Sequence, residues 1–145
     1  MNVNLSSPPK CQLLNYAFSS LGMEMSKTKK TSLSIEFKDF QTHKTDNEKY
    51  LVVFSVNHDN AKLSIHFTIH GEFRFGGGIN NQNTLLAWTN GATILYGIAR
   101  ATVMQITAQS LCPSLLIPTL MMGDLIKEHV TSKQNVGKKR LVLKS

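Results

Sequence analysis

Between Leu63 and Phe75 the chain alternates without a break. Leu63, Ile65, Phe67, Ile69, Phe73 and Phe75 take the odd positions, with Gly71 in the same register. Ser64, His66, Thr68, His70, Glu72 and Arg74 take the even ones. A strand sends successive side chains to opposite faces, whereas a helix repeats every 3.6 residues. This segment is therefore one long strand with a dry face and a wet face. A dry face must be covered, so the strand demands further strands beside it and a layer packed on one side. Gly71, inside the run, is expected at a bend or bulge.

The neighbouring segments supply the other strands. Lys10 to Ser20 carries Cys11, Leu13, Leu14, Tyr16 and Phe18 and fits a short strand. Leu33, Ile35 and Phe37 alternate with Ser34, Glu36 and Lys38, and Leu51 to Val56 is rich in β-branched residues. Met23 to Thr31 and Thr42 to Lys49 read as a loop and a charged turn. Short polar turns between successive strands favour an antiparallel meander. After Gly76-Gly77-Gly78 the period changes. Leu95, Ile98, Ala99, Thr102 and Ile106 recur at helical spacing, with Thr89 or Asn90 as the N-cap and Pro113 as the stop. An apolar connector, Leu115-Leu116-Ile117-Pro118, leads to a shorter helix with Met122, Leu125, Ile126 and His129 on one stripe. The fold class is α+β, with an antiparallel four-stranded sheet followed by a long and a short helix. Tyr96, Val103 and Met104 widen the apolar stripe of the long helix. A chain of this size has little left to cover it, which implies that the long helix packs against its copy.

Charge bears on partners. The net charge is +7, but Lys133, Lys138, Lys139, Arg140 and Lys144 supply +5 of it, leaving +2 for the rest. The expected organisation is a single domain over residues 1–130 and a basic, flexible tail over 131–145. A nearly neutral body argues against a nucleic-acid-reading face. The tail offers the alternative function, an electrostatic contact with nucleic acid or another acidic partner. No stretch has the length of a membrane span. Met1 to Lys10 is polar, with Pro8 and Pro9 and no apolar signal core, and the two cysteines lie far apart. Both points suggest a reduced, cytoplasmic protein.

Catalytic chemistry finds no motif. His66 and His70 share a strand face, but residues four apart on a strand are about 13 Å apart, while a metal ion holds its ligands within about 2 Å. No metal site or cofactor is expected. The glycine run lacks the Lys-Ser/Thr of a phosphate loop, and no nucleophile elbow occurs. Cys11 and Cys112 have no partner motif and read as small buried residues. An enzyme is the least supported class. The apolar connector is different: three large aliphatics, followed by Leu120, Met121 and Met122, stand where polar residues are expected.

Ile94-Leu95-Tyr96, Ala99-Arg100, Val103, Pro113, Leu115, Pro118 and Asp124-Leu125 together resemble the helical half of the SecB family of protein-export chaperones. The order of four strands, a glycine-containing stretch and a long helix is also similar. The resemblance implies a SecB-like fold and a dimer of dimers, with long helices packed between two sheet layers. It implies an ATP-independent holdase that binds unfolded client polypeptide in apolar grooves. Tyr16, Phe18, Leu115, Leu116, Ile117, Leu120, Met121 and Met122 are the positions it places nearest the groove. Two departures stand out. Family members are typically acidic, whereas this chain is basic, and residues 131–145 lack the cysteines and histidine of the family's zinc-binding tail. Both speak against docking to the translocase motor and for a divergent member that serves a dedicated client such as an antitoxin.

Overall fold

A computed structural model describes residues 11–26, 30–60, 63–108 and 117–143, with side chains up to Lys133. Four strands precede two helices: β1 (Cys11–Met25), β2 (Ser32–Thr42), β3 (Lys49–Asp59), β4 (Leu63–Phe75), α1 (Thr84–Ala108) and α2 (Met122–Leu143). The strands form one antiparallel sheet in the order β1-β4-β3-β2. The expected meander holds for β2, β3 and β4. β1 departs from it, crossing to the far side of β4 rather than lying beside β2. The boundary expected at residue 131 falls inside α2.

β4 behaves as its alternation dictates, and β3, apolar throughout Tyr50–Phe54, buries every second residue. Tyr50, Val52, Phe54 and Val56 of β3 and Ile65, Phe67, Ile69, Phe73 and Phe75 of β4 are buried on one face. Their mutual register runs unbroken from Lys49↔Arg74 to Asp59↔Ser64. Gly71 makes no bulge within that ladder. Its role is space. A Cβ there would lie 2.6 Å from Leu95 Cδ2 and 2.9 Å from the Phe73 ring, so the missing side chain lets α1 sit down on the sheet.

The edge strands carry all the irregularities of the sheet register. On β1 the pairing shifts between Leu13 and Asn15 and again between Phe18 and Ser20. On β2 it shifts between Phe37 and Asp39. Each bulge adds a residue and reverses which parity faces the core. Leu13 opposite Phe73, Tyr16 opposite Gly71, Phe18 opposite Ile69 and Leu21 opposite Phe67 therefore share the core face. Without the two shifts, Tyr16 and Phe18 would point outward.

α1 packs on the core face along one ridge. Ala87, Gly91, Leu95, Ala99, Val103 and Thr107 recur every four residues and are all buried. Gly91 lies against Val52, Phe73 and Tyr50. The Tyr50 hydroxyl donates to the Ala87 carbonyl at 2.8 Å and lies 3.1 Å from Cys11 Sγ, joining β1, β3 and α1. α1 starts earlier than the expected cap at Thr89 or Asn90. The Asn80 side chain accepts from the Gln82 and Asn83 amides, and Thr84 Oγ1 donates to the Asn80 carbonyl. These Asn turns start the helix at Thr84 after two positive-φ residues, Gly77 (89°) and Gly78 (85°), redirect the chain.

Candidate peptide-binding surface

The connector is fastened to α1 by two polar side chains. Tyr96 Oη donates to the Pro118 carbonyl, and Arg100 Nε donates to the Ile117 carbonyl at 2.9 Å. These consecutive carbonyls lie outside any helix and would otherwise lack partners. Burial pushes the Tyr96 phenol up to about 12, against a smaller lowering by Arg100. Fastening fixes which connector side chains turn inward. Ile117 is fully buried, and Met122 and Ile126 are buried in the first turns of α2. Ile117 and Met122, expected beside a groove, thus fill the core. Leu120 is half-buried, while Met121 is 72% exposed. Leu115 and Leu116 lie outside the described residues, as do Cys112 and Pro113.

Tyr16 and Phe18 occupy another part of the surface. Tyr16 is 46% exposed on the core face of β1. Phe18 is half-buried and sets its ring edge-on to Phe67, with centroids 5.9 Å apart. β1 is one edge of the sheet. α2 closes over the other edge, where His129 meets Phe37 of β2. The residues singled out in the sequence therefore fall into two groups, one on β1 and one at the start of α2.

A third surface was not legible from the alternation. A cleft of about 180 Å³ opens between β2 and α2, lined by Phe37, Phe40, Trp88 and His129 with Lys38, Asp39 and Lys133. Its walls are rings. Phe40 stacks on Trp88 at 5.2 Å, and Phe37 meets Trp88 edge-on at 5.9 Å. His129 sits 5.5 Å from Phe37 and 5.9 Å from Trp88. Phe37 and Phe40 are three apart and should face opposite ways. The β2 bulge turns both inward, opposite Phe54 and Val52. The indole Nε1–H of Trp88 is buried and has no acceptor among the described residues. A buried donor without a partner is uncommon in a folded chain. Burial and the nearby Lys133 lower the basicity of His129.

The other polar groups make no reactive constellation. Among the described residues, no three of His, Cys, Asp and Glu converge on a point that would hold a metal ion. The His66 ring lies across Gly22 on the outer face of the sheet. His58 is buried and donates from Nδ1 to the Ser32 carbonyl at 3.0 Å. A larger cavity of about 380 Å³ at the end of β2 and β3 is lined by Gln41, Thr42, His43, Lys49, Tyr50, Leu51 and Glu72. Among the described residues, no helix is long and apolar enough to cross a membrane.

No protein-family model matches this chain, and no curated protein does. Solved structures do. A SecB-like chaperone of Mycobacterium tuberculosis, in complex with a ChAD peptide from the HigA1 antitoxin, superposes with a TM-score of 0.56. The match covers 77% of this chain and 90% of that one at 17% identity. The fold is SecB-like. A protein of unknown function from Streptococcus agalactiae superposes at a TM-score of 0.53 and 13% identity, over 75% of this chain and 97% of that one. The SecB-like architecture thus persists where few residues are shared. The sheet, the α1 ridge and the fastened connector together form the frame on which the exposed apolar groups stand.

Proposed function

We propose that this chain is an ATP-independent holdase that keeps unfolded or non-native polypeptide from aggregating, without catalysing a reaction. The observation that carries this reading is the aromatic cleft between β2 and α2, walled by Phe37, Phe40, Trp88 and His129. An extended peptide offers the complement, apolar side chains that pack against the ring walls. A folded protein does not, since its apolar segments are buried. Tyr16, Phe18, Leu120 and Met121 extend the contact beyond the cleft, and Leu115 and Leu116 are assigned to it on the sequence alone. The peptide-bound mycobacterial neighbour supports this reading. It also favours a dedicated client over the general export pathway. We place the protein in the cytoplasm.

One site is weak by itself. Burying about 500 Å² of apolar client surface contributes about 12 kcal/mol. Fixing about ten client residues costs 1–2 kcal/mol each, which nearly cancels it. Useful affinity then comes from one client spanning several sites of an oligomer. α1 has a face suited to assembly. Leu86, Thr93, Gly97, Ala101, Met104 and Ala108 are exposed on one side, and Arg100 is the sole charged residue of the helix. We assign that face to a second copy of the chain, within a dimer of dimers.

The test is light scattering of the protein alone and with a reduced, carboxymethylated, permanently unfolded polypeptide. The expected result is an oligomer that takes up the unfolded chain without ATP. Met121→Asp, at a position too exposed to disturb the fold, should weaken uptake. A protein that ignores unfolded polypeptide and leaves its aggregation unchanged refutes the reading.

A further inference from the structure

We infer that the cleft between β2 and α2 is proton-gated: it takes an apolar peptide segment while the His129 imidazole is neutral and releases it when that ring is protonated. This inference rests on the holdase reading and adds a regulator to it.

His129 forms part of the cleft wall, with its ring 5.5 Å from Phe37 and 5.9 Å from Trp88. A neutral imidazole is a flat, weakly polar ring that can stand in an aromatic wall. An imidazolium carries a full charge and keeps its water. A peptide that enters the cleft strips that water away and so disfavours the charged form.

The surrounding charges decide whether anything compensates. α2 contributes Lys133, one turn beyond His129, which repels a second cation. β2 contributes Lys38 and Asp39. Lys38 is held by Glu36 at 3.0 Å. Asp39 is the one acid among the lining residues, set against two lysines. α1 contributes Trp88, which is uncharged. The faces of Phe37 and Trp88 attract a cation. That attraction exists in the empty cleft as well, so it largely cancels between free and bound states. Desolvation does not cancel, because it deepens when peptide enters. Even the empty cleft, through burial and Lys133, already disfavours the charged ring. Binding therefore expels a proton, and affinity falls as the pH drops through the titration of His129. A single proton limits the fall to about tenfold per pH unit.

The experiment uses the full chain and the same unfolded polypeptide, carrying a pH-insensitive rhodamine label read by anisotropy. Kd is compared at about pH 7.5 and about pH 5.5 for the wild type and His129→Gln, bracketing the ordinary histidine range. The wild type should weaken by roughly three- to tenfold, and His129→Gln by less than about twofold. His43, His58, His66 and His70 are present in both proteins, so their titration drops out of the comparison. Trp88 is the only tryptophan. Its emission without client should be quenched on acidification in the wild type and unchanged in His129→Gln. Parallel pH dependence of Kd in the two proteins overturns the gate and leaves the holdase reading standing. Emission that ignores pH in the wild type also overturns it. Failure of both proteins to bind near pH 7.5 refutes the holdase reading and the gate with it.

Discussion

Adding one methyl group at Gly71 tests how α1 is seated on the sheet. A Cβ there falls 2.6 Å from Leu95 Cδ2 and 2.9 Å from the Phe73 ring, where real carbons do not approach. Neither neighbour has room to retreat, because Leu95 and Phe73 are both fully buried. Gly71→Ala must push α1 outward or force Leu95 off its rotamer. Overpacking of this kind costs about 1–3 kcal/mol. The usual gain from removing a glycine, about 0.4–1 kcal/mol through the unfolded chain, offsets part of it. Gly97→Ala is the matched control, since a Cβ at Gly97 meets nothing within 4 Å. There the helix propensity gain of about 1 kcal/mol should appear whole in the dilute protein. Urea and thermal denaturation followed by circular dichroism measure both. The pair should differ in sign, with Gly71→Ala lowering the melting temperature by roughly 2–10 °C. A Gly71→Ala protein as stable as the wild type refutes the close approach of α1. Repeating the melt at high protein concentration tests the assembly proposal. The wild type should gain stability with concentration, and Gly97→Ala should gain less.

Three further outcomes are expected. Tyr50→Phe removes the hydroxyl that reaches Ala87 and Cys11 and should cost about 1 kcal/mol in urea denaturation. Arg100→Met frees the Ile117 carbonyl and should cost about 1.5–2 kcal/mol, with limited proteolysis showing faster cutting in the connector. Alkali should destabilise the fold. Burial holds Tyr96 at about 12 against an ordinary 10 and also raises Tyr50, so the folded chain keeps protons that the unfolded chain gives up. Stability intact below pH 10 is then lost as the pH rises toward 12, and Tyr96→Phe should flatten that loss in pH-dependent melts.

What the sequence revealed follows from where the periods are unbroken. β4 alternates cleanly, and the structure buries its odd positions as the pattern requires; β3 was legible as a strand from its β-branched residues, but its unbroken apolar run Tyr50–Phe54 did not say which side faces the core. The edge strands mislead a strict period of two, because a bulge leaves no mark in composition. Phe40 was invisible for this reason, and the aromatic cleft with it. The pairing of β1 with β4 is a long-range choice that no local pattern encodes. Met121 and Leu120 stood out as apolar residues in a connector; Met121 stays exposed, while Leu120 is half-buried against the core. Ile117 and Met122 had the same signature, but the hydrogen bonds of Arg100 and Tyr96 fix the connector's orientation and turn Ile117 inward. That distinction depends on contacts between residues about twenty positions apart.

The bulges of β1 have a further consequence. An edge strand exposes a row of free N–H and C=O groups that any extended chain can copy. Here that row is cut after Leu13 and after Phe18. The pieces, Cys11–Leu13, Asn15–Phe18 and Ser20–Met25, are each out of step with the next. A foreign strand that docks on one piece loses its ladder at the junction. On the proposed holdase reading, such an edge resists becoming the seed of its clients' aggregation.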